Sequence, residues 1–234
     1  MLDASEYSIE AFFVSAVSVD IVIFRFENKS LRVLLVQRGV EPYINDWALP
    51  GEMVQADENL DNAADRVLFE LTSLDEVYLE QVASFGAPSR HPAGRAFTVA
   101  YYSLIGTSAH PVSPNGWAKN ASYFDIDELP DLAFDHAEVL NSCLERLRER
   151  VRMRPIGFEL LPRTFSLSEL QNLYESILGE KLDKRNFRKK ILSMGIVEDT
   201  GELQANVNHR PAKLYRFDES RYEALVKKGF SFTV

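Results

Sequence analysis

Cysteine is all but absent from this chain. The single residue, Cys143 in "LNSCLERL", excludes an intrachain disulfide and offers no thiol cluster to zinc, so we read it as a small core hydrophobe. No run approaches the roughly 20 apolar residues that a membrane helix needs. The opening "MLDASEYSIEAFF" has no basic segment followed by a long apolar one. These absences lead to the expectation of a soluble, cytoplasmic protein with no membrane partner. Repeats and low-complexity tracts are missing as well. What remains is ordinary globular composition: 234 residues, 46% of them hydrophobic, suffice for one large domain or two small ones with a real core.

Acidic residues dominate, but not everywhere. The formal net charge of -9 divides into 11 Lys+Arg against 24 Asp+Glu over residues 1–150, and 15 against 11 over residues 151–234. A polyanion responds to local positive charge rather than to the average, so a change of sign implies two units with different partners. The boundary falls near "RERVRMRPIGFELLPRTF", and we expect domains over 1–152 and 153–234.

The first unit reads as mixed strands and helices. "FVSAVSVDIVIFRF" and "LRVLLVQR" are β-branched runs around the polar turn "ENKS", and "VYLEQVASFG", "FTVAYYSLI" and "ASYFDI" are further strand candidates. Between them Leu60, Ala63, Ala64, Val67, Leu68 and Leu71 recur at the spacing of one buried helical face. "HAEVLNSCLERLRERVR" supplies a second helix. The fold class expected is α+β, with an α/β/α sandwich in this half.

The second unit changes character. Ser166 and Glu169 form a capping box ahead of Leu170, Leu173, Tyr174, Ile177 and Leu178, and Gly179 stops that helix. Asp183 then caps "KRNFRKKILSM", whose Phe187, Ile191 and Met194 point inward until Gly195. Two strand-like runs, "IVEDTGEL" and "AKLYRF", flank "QANVNHRP" before a closing helix. Helix, turn, helix, two-stranded ribbon is the order of a winged helix-turn-helix. On the second helix Lys184, Arg185, Arg188 and Lys189 share the face opposite Phe187 and Ile191, and His209, Arg210 and Lys213 lie around the ribbon turn. Alone, such a face is more often solvated surface. Its place in the motif makes these seven residues the candidates for contact with a double-stranded DNA operator.

Two stretches carry a resemblance. "GEMVQADENLDNAADRVLFELTSL" resembles the Nudix box, in which glutamates of a loop and helix hold Mg²⁺ over a diphosphate. Gly51 is followed by one extra residue before Glu58; the spacing to Arg66 is kept, and Leu68 and Glu70 fall in place. The other two ligand positions are Val67 and Leu71, and Ser73 stands where glycine is usual. Residues 67, 70 and 71 share a helical face, so two aliphatic replacements turn a metal face into a packing face. Upstream, Arg38, Trp47, Pro50 and Gly51 match the lead-in of a strand ending in Arg and then Trp-x-x-Pro-Gly.

Together with "LAFDH" and the Arg210-Pro211-Ala212-x-x-Tyr215 turn, the whole chain resembles the Nudix-related transcriptional regulators, typified by the regulator of NAD metabolism. The resemblance implies a dimeric repressor with a Nudix-like sensing domain and a C-terminal winged helix. Its effector would be ADP-ribose or a related nucleotide-sugar, bound without a metal, a cofactor or catalytic residues. Arg38, Trp47, Glu58, Glu70, Arg90 and Arg95 are the ligand-site candidates. In "SRHPAGRAF" Arg90 and Gly94 match the family's strand entry whereas His91 and Ala93 do not. Arg90 and Arg95 therefore stay open between a ligand role and strand-end or interface charge. Three alternatives stay open too: an active Nudix hydrolase drawing on Asp57, Glu58, Asp61 and Glu70, a sugar-responsive regulator of the same family, and an adaptor whose basic helix meets an acidic protein.

Overall fold

The computed structural model describes residues 16–73, 77–106, 112, 114, 116–205 and 210–234. Strands β1 (Ala16–Glu27) and β2 (Ser30–Arg38) form an antiparallel hairpin, with Phe24 opposite Val33 and Glu27 opposite Ser30. Two short strands follow, β3 (Trp47–Ala48) and β4 (Gly51–Met53), and then helix α1 (Leu60–Thr72). Strands β5 (Tyr78–Phe85), β6 (Ala96–Ile105) and β7 (Ala118–Asp125) complete a seven-stranded sheet. Its main path runs β3-β2-β1-β6-β5, with β1 and β6 parallel and in register from Ala16 against Ala96 to Arg25 against Ile105.

Alternation along β1 sets the layers. Val19, Ile21 and Ile23 point to one side, where Ala63, Ala64, Val67, Leu68 and Leu71 of α1 cover them. Val22, Phe24 and Phe26 point to the other, against Val139, Leu140, Cys143 and Leu147 of α2 (His136–Met153). The expected α/β/α sandwich is thus formed by a period of two in the strands and of 3.6 in the helices. Cys143 is fully buried, and burial pushes its thiol pKa up to about 12, which suits an inert core residue.

A 3₁₀ turn (Pro155–Leu160) and strand β8 (Phe165–Ser166) lead to α3 (Leu167–Leu178) and α4 (Lys184–Met194). Both bonds of the Ser166–Glu169 capping box form, and Asp183 accepts from Asn186 N–H at the start of α4. Gly179 and Gly195 end the two helices at φ of 70° and 67°, where a Cβ would be strained. Strands β9 (Val197–Leu203) and β10 (Lys213–Phe217) make the wing, joined by β8 in the order β8-β10-β9, and α5 (Glu219–Val226) follows.

Among the described residues no polar seam parts the two units. The apolar cluster under α2 continues through Leu160, Phe165, Leu170, Leu173 and Ile177 to Phe187, Ile191 and Phe232. Two polar ties reinforce it: Arg148 Nε donates to the Ile177 carbonyl at 2.8 Å, and Arg152 pairs with Glu180 at 3.3 Å. Among the described residues no helix is long and apolar enough to cross a membrane.

Candidate functional site

A cavity of about 420 Å³ opens beside Gly51. Asp20 from the middle of β1, Arg38 from the end of β2, and Arg90, Trp117, Phe134 and His136 from loops and the start of α2 form its wall. Close approach explains the glycine at position 51, because a Cβ there would collide with the Asp20 carboxylate.

The floor is a buried charge cluster. Arg90 donates from Nε and Nη2 to both carboxylate oxygens of Asp135 at 2.9 and 2.8 Å, and its Nη2 lies 3.5 Å from Asp20. His136 Nδ1 accepts from the Leu49 N–H at 2.9 Å, which leaves the ring proton on Nε2, 3.7 Å from Asp20. Burial outweighs the pull of Asp20 and Asp135 and holds the imidazole pKa below its ordinary value, so His136 is neutral.

The opposite wall is aromatic. Arg38 lies 5.0 Å from the Trp117 ring centroid and 4.9 Å from that of Phe134, and its Nε donates to the Pro42 carbonyl at 2.7 Å. Phe134 stands at φ 56°, a left-handed conformation that a bulky residue adopts only when its surroundings enforce it. Tyr43 edges onto its ring at 4.7 Å and His91 stacks on it at 5.2 Å. The indole of Trp117 donates to Glu52 at 3.0 Å.

Next to this cavity lies the face where a Nudix hydrolase holds its metal. Here Gly51, Glu52, Val67, Glu70, Leu71 and Trp117 line a smaller hollow. Val67 and Leu71 are buried in the sheet-facing core, Glu52 is taken by Trp117, and Glu70 points outward 3.7 Å from Arg66. Glu58 is committed as well: it accepts from Arg66 at 2.6 and 3.0 Å and from Gln55 N–H at 2.8 Å. The Arg66 bonds, aided by the Gln55 amide, bring its pKa down to about 2. Such donors do not fit a magnesium pair, and among the described residues no group of three or more His, Cys, Asp and Glu could hold a metal ion.

Of the six ligand-site candidates, the structure brings Arg38 and Arg90 together in the cavity wall. The others stand apart from it. Trp47 turns its ring edge-on to Phe124 at 4.7 Å, Glu58 clasps Arg66, and Glu70 borders the smaller hollow. Arg95 donates to the Gly86 carbonyl at 2.6 Å and lies over Phe97. Asp20 and Trp117 are wall residues that the motif comparison did not single out, whereas Phe134 and His136 lie in the "LAFDH" phrase without having been named as ligand-site candidates. A signal for Asp20 existed, since an acid inside the apolar run "VSVDIVIFRF" is unexpected unless it is partnered.

In the second unit, Lys184, Arg185 and Lys189 are exposed on α4. Arg188 is different: it is half-buried and donates to Ser168 Oγ on α3 at 2.7 Å, which ties the two helices together. Lys213 pairs with Asp199 across the wing at 2.7 Å, Arg210 is exposed at the wing turn, and His209 lies outside the described residues.

Comparison with known proteins places this architecture. The NUDIX domain model matches residues 14–143, and the NrtR DNA-binding winged helix domain model matches residues 157–217. The ADPR responsive transcriptional repressor NtrR of Acinetobacter baylyi is 39% identical over 210 residues, covering 88% of this chain and 83% of that protein. The chain belongs to the NrtR family. Shewanella oneidensis NrtR, in its crystal structure with a 27mer DNA, superposes with a TM-score of 0.75 at 28% identity, covering 92% of this chain and 97% of that one. The NUDIX domain of the same NrtR, crystallised with ADP ribose, aligns at 32% identity with a TM-score of 0.54, over 61% of this chain and 95% of that one.

Proposed function

We propose that this member of the NrtR family is a transcriptional repressor that binds operator DNA through α4 and the wing and senses ADP-ribose in the Nudix-like cavity without hydrolysing it. The carrying observation is the pairing of an intact, charged and aromatic cavity with a neighbouring metal face filled by Val67 and Leu71. A ligand that is bound and not consumed persists long enough to bias a conformational equilibrium. Domains over 1–152 and 153–234 divide the sensing and DNA-binding work, and dimerisation through the acidic first unit presents two basic winged helices to two half-sites.

Helix α2 is the route between them. Its first residue, His136, and the preceding Phe134 face the cavity, while Arg148 and Arg152 near its far end grip the end of α3. Ser168 of α3 in turn holds Arg188 of α4. Effector binding that shifts the start of α2 thus moves the DNA-facing helix and weakens operator affinity. Titration of a labelled operator with and without ADP-ribose tests this reading. Unchanged affinity at saturating ADP-ribose, or Mg²⁺-dependent turnover in the enzymatic range of roughly 1–1000 s⁻¹, would contradict it.

A further inference from the structure

Two arginines face the cavity, and their surroundings divide the work between them. We propose that Arg38 is the anchor for the diphosphate of the effector and that Arg90 is a positioning residue that does not touch it. The inference rests on the reading that the cavity takes a nucleoside diphosphate linked to a sugar, and it assigns the group that recognises the diphosphate.

Arg90 is already committed to carboxylates. Its Nε and Nη2 are both spent on Asp135, Asp20 stands on the same guanidinium at 3.5 Å, and the side chain is 5% exposed. An anion taking it would strip the part-buried Asp135 carboxylate of its bidentate partner, which costs more than one ligand contact returns. Its role is to fix Asp135, the N-cap residue of α2.

Arg38 is the converse case. Among the described residues its side chain makes one hydrogen bond, from Nε to the Pro42 carbonyl, and no ion pair. Both Nη nitrogens are left for a ligand, and they lie against the rings of Trp117 and Phe134 in the cavity wall. A ring face is a weaker partner for a guanidinium than a charged oxygen, and the Nη pair matches the spacing of phosphate oxygens. The nearby acids Asp20, Glu41 and Glu52 act on the guanidinium through space, without a hydrogen bond to it among the described residues. Asp20 is engaged with Arg90, Glu52 with the Trp117 indole, and Glu41 is solvent-exposed. Trp117 stays in place through its bond to Glu52, so a diphosphate that draws Arg38 off the indole leaves the ring uncovered. Trp47, the other tryptophan, packs on Phe124 away from the cavity wall.

The test is calorimetric titration of the full chain and its Arg38→Gln, Arg38→Lys and Arg90→Gln variants with ADP-ribose and with adenosine, alongside tryptophan emission and the unfolding midpoint. Arg38→Gln should raise the Kd for ADP-ribose roughly 10- to 100-fold. Its adenosine affinity should stay at the wild-type value, and the ligand-induced change in Trp117 emission should vanish. Arg38→Lys keeps a charge but not the fork, so its Kd falls between, and it carries the test if the Gln variant misfolds. Arg90→Gln should lower the unfolding midpoint and, where still folded, keep the preference for ADP-ribose over adenosine. Wild-type affinity for ADP-ribose in Arg38→Gln, or equal losses for ADP-ribose and adenosine, would overturn the assignment while leaving the cavity reading standing. Absence of ADP-ribose binding by the wild-type chain would overturn both.

Discussion

Helices α1 and α4 are made of the same parts and put to opposite uses. Each is amphipathic, and each is capped by an Asx side chain, Asn59 for α1 and Asp183 for α4. In α1 the two positions where a hydrolase would carry ligands, Val67 and Leu71, face inward and pack on the sheet, and its exposed side is acidic with Asp61, Asp65 and Glu70. In α4 only Phe187 and Ile191 are buried, and the exposed side carries Lys184, Arg185, Lys189 and Lys190. The difference teaches that one amphipathic pattern serves two ends: aliphatic residues at positions 67 and 71 make a packing face, and lysines and arginines around Phe187 and Ile191 leave a basic one.

The largest effect expected from this contrast is on stability. Phe187→Ala should cost about 3–5 kcal/mol, because the ring fills a site 5% exposed against Tyr174. Arg185→Ala and Lys189→Ala should stay within about 0.5 kcal/mol in the same chemical unfolding experiment. If all three behave alike, the two faces of α4 are not separable.

The next effect is on DNA. Arg185→Ala and Lys189→Ala should each weaken operator binding by about 1–3 kcal/mol if they read a base, or flatten the salt slope by about one unit if they neutralise a phosphate. The same change at Arg66 of α1, which is closed on Glu58, should leave operator affinity unaltered. Anisotropy titrations at two salt concentrations separate these outcomes.

Acid sensitivity sharpens the α1 side. The Glu58 carboxylate is held at about 2 against 4.5 for the free group. Its contribution to stability is therefore full above pH about 4.5 and is lost as pH falls from there through about 2. Glu58→Gln should remove that part of the acid dependence, seen as a flatter midpoint-versus-pH curve in the acid range. The smallest effect concerns Ser73, the C-cap of α1 at φ 55°. Ser73→Gly should stabilise the fold by about 1 kcal/mol, since glycine occupies the left-handed region without a Cβ penalty.

Legibility in the sequence followed length and periodicity. The long strands, α1 to α4 and the caps at Ser166 and Asp183 are all visible as periods of two or 3.6 with stop signals, and the structure has them. The 3₁₀ turn and strands of two or three residues, β3, β4 and β8, carry too few side chains to leave a pattern. The cavity was legible where a motif ran through it, at Arg38, Gly51, Arg90 and the "LAFDH" phrase, although of these only Arg38 and Arg90 were named as ligand-site candidates. Trp117 comes from a non-periodic segment that meets the rest only in the fold, and the Trp47 ring packs on Phe124. Arg188 shares its helical face with Lys184 and Lys189 by spacing, yet its distance from Ser168 depends on how α3 and α4 cross, which spacing does not record.

The most direct test is a single time course. Labelled operator is held with the protein in Mg²⁺, one dose of ADP-ribose is added, and anisotropy is followed for hours. A sensor that binds without consuming its ligand gives a drop in anisotropy that stays flat. A drop that recovers only when Mg²⁺ is present, as the ligand is hydrolysed and the DNA rebinds, would contradict the claim that the box has been kept for its shape.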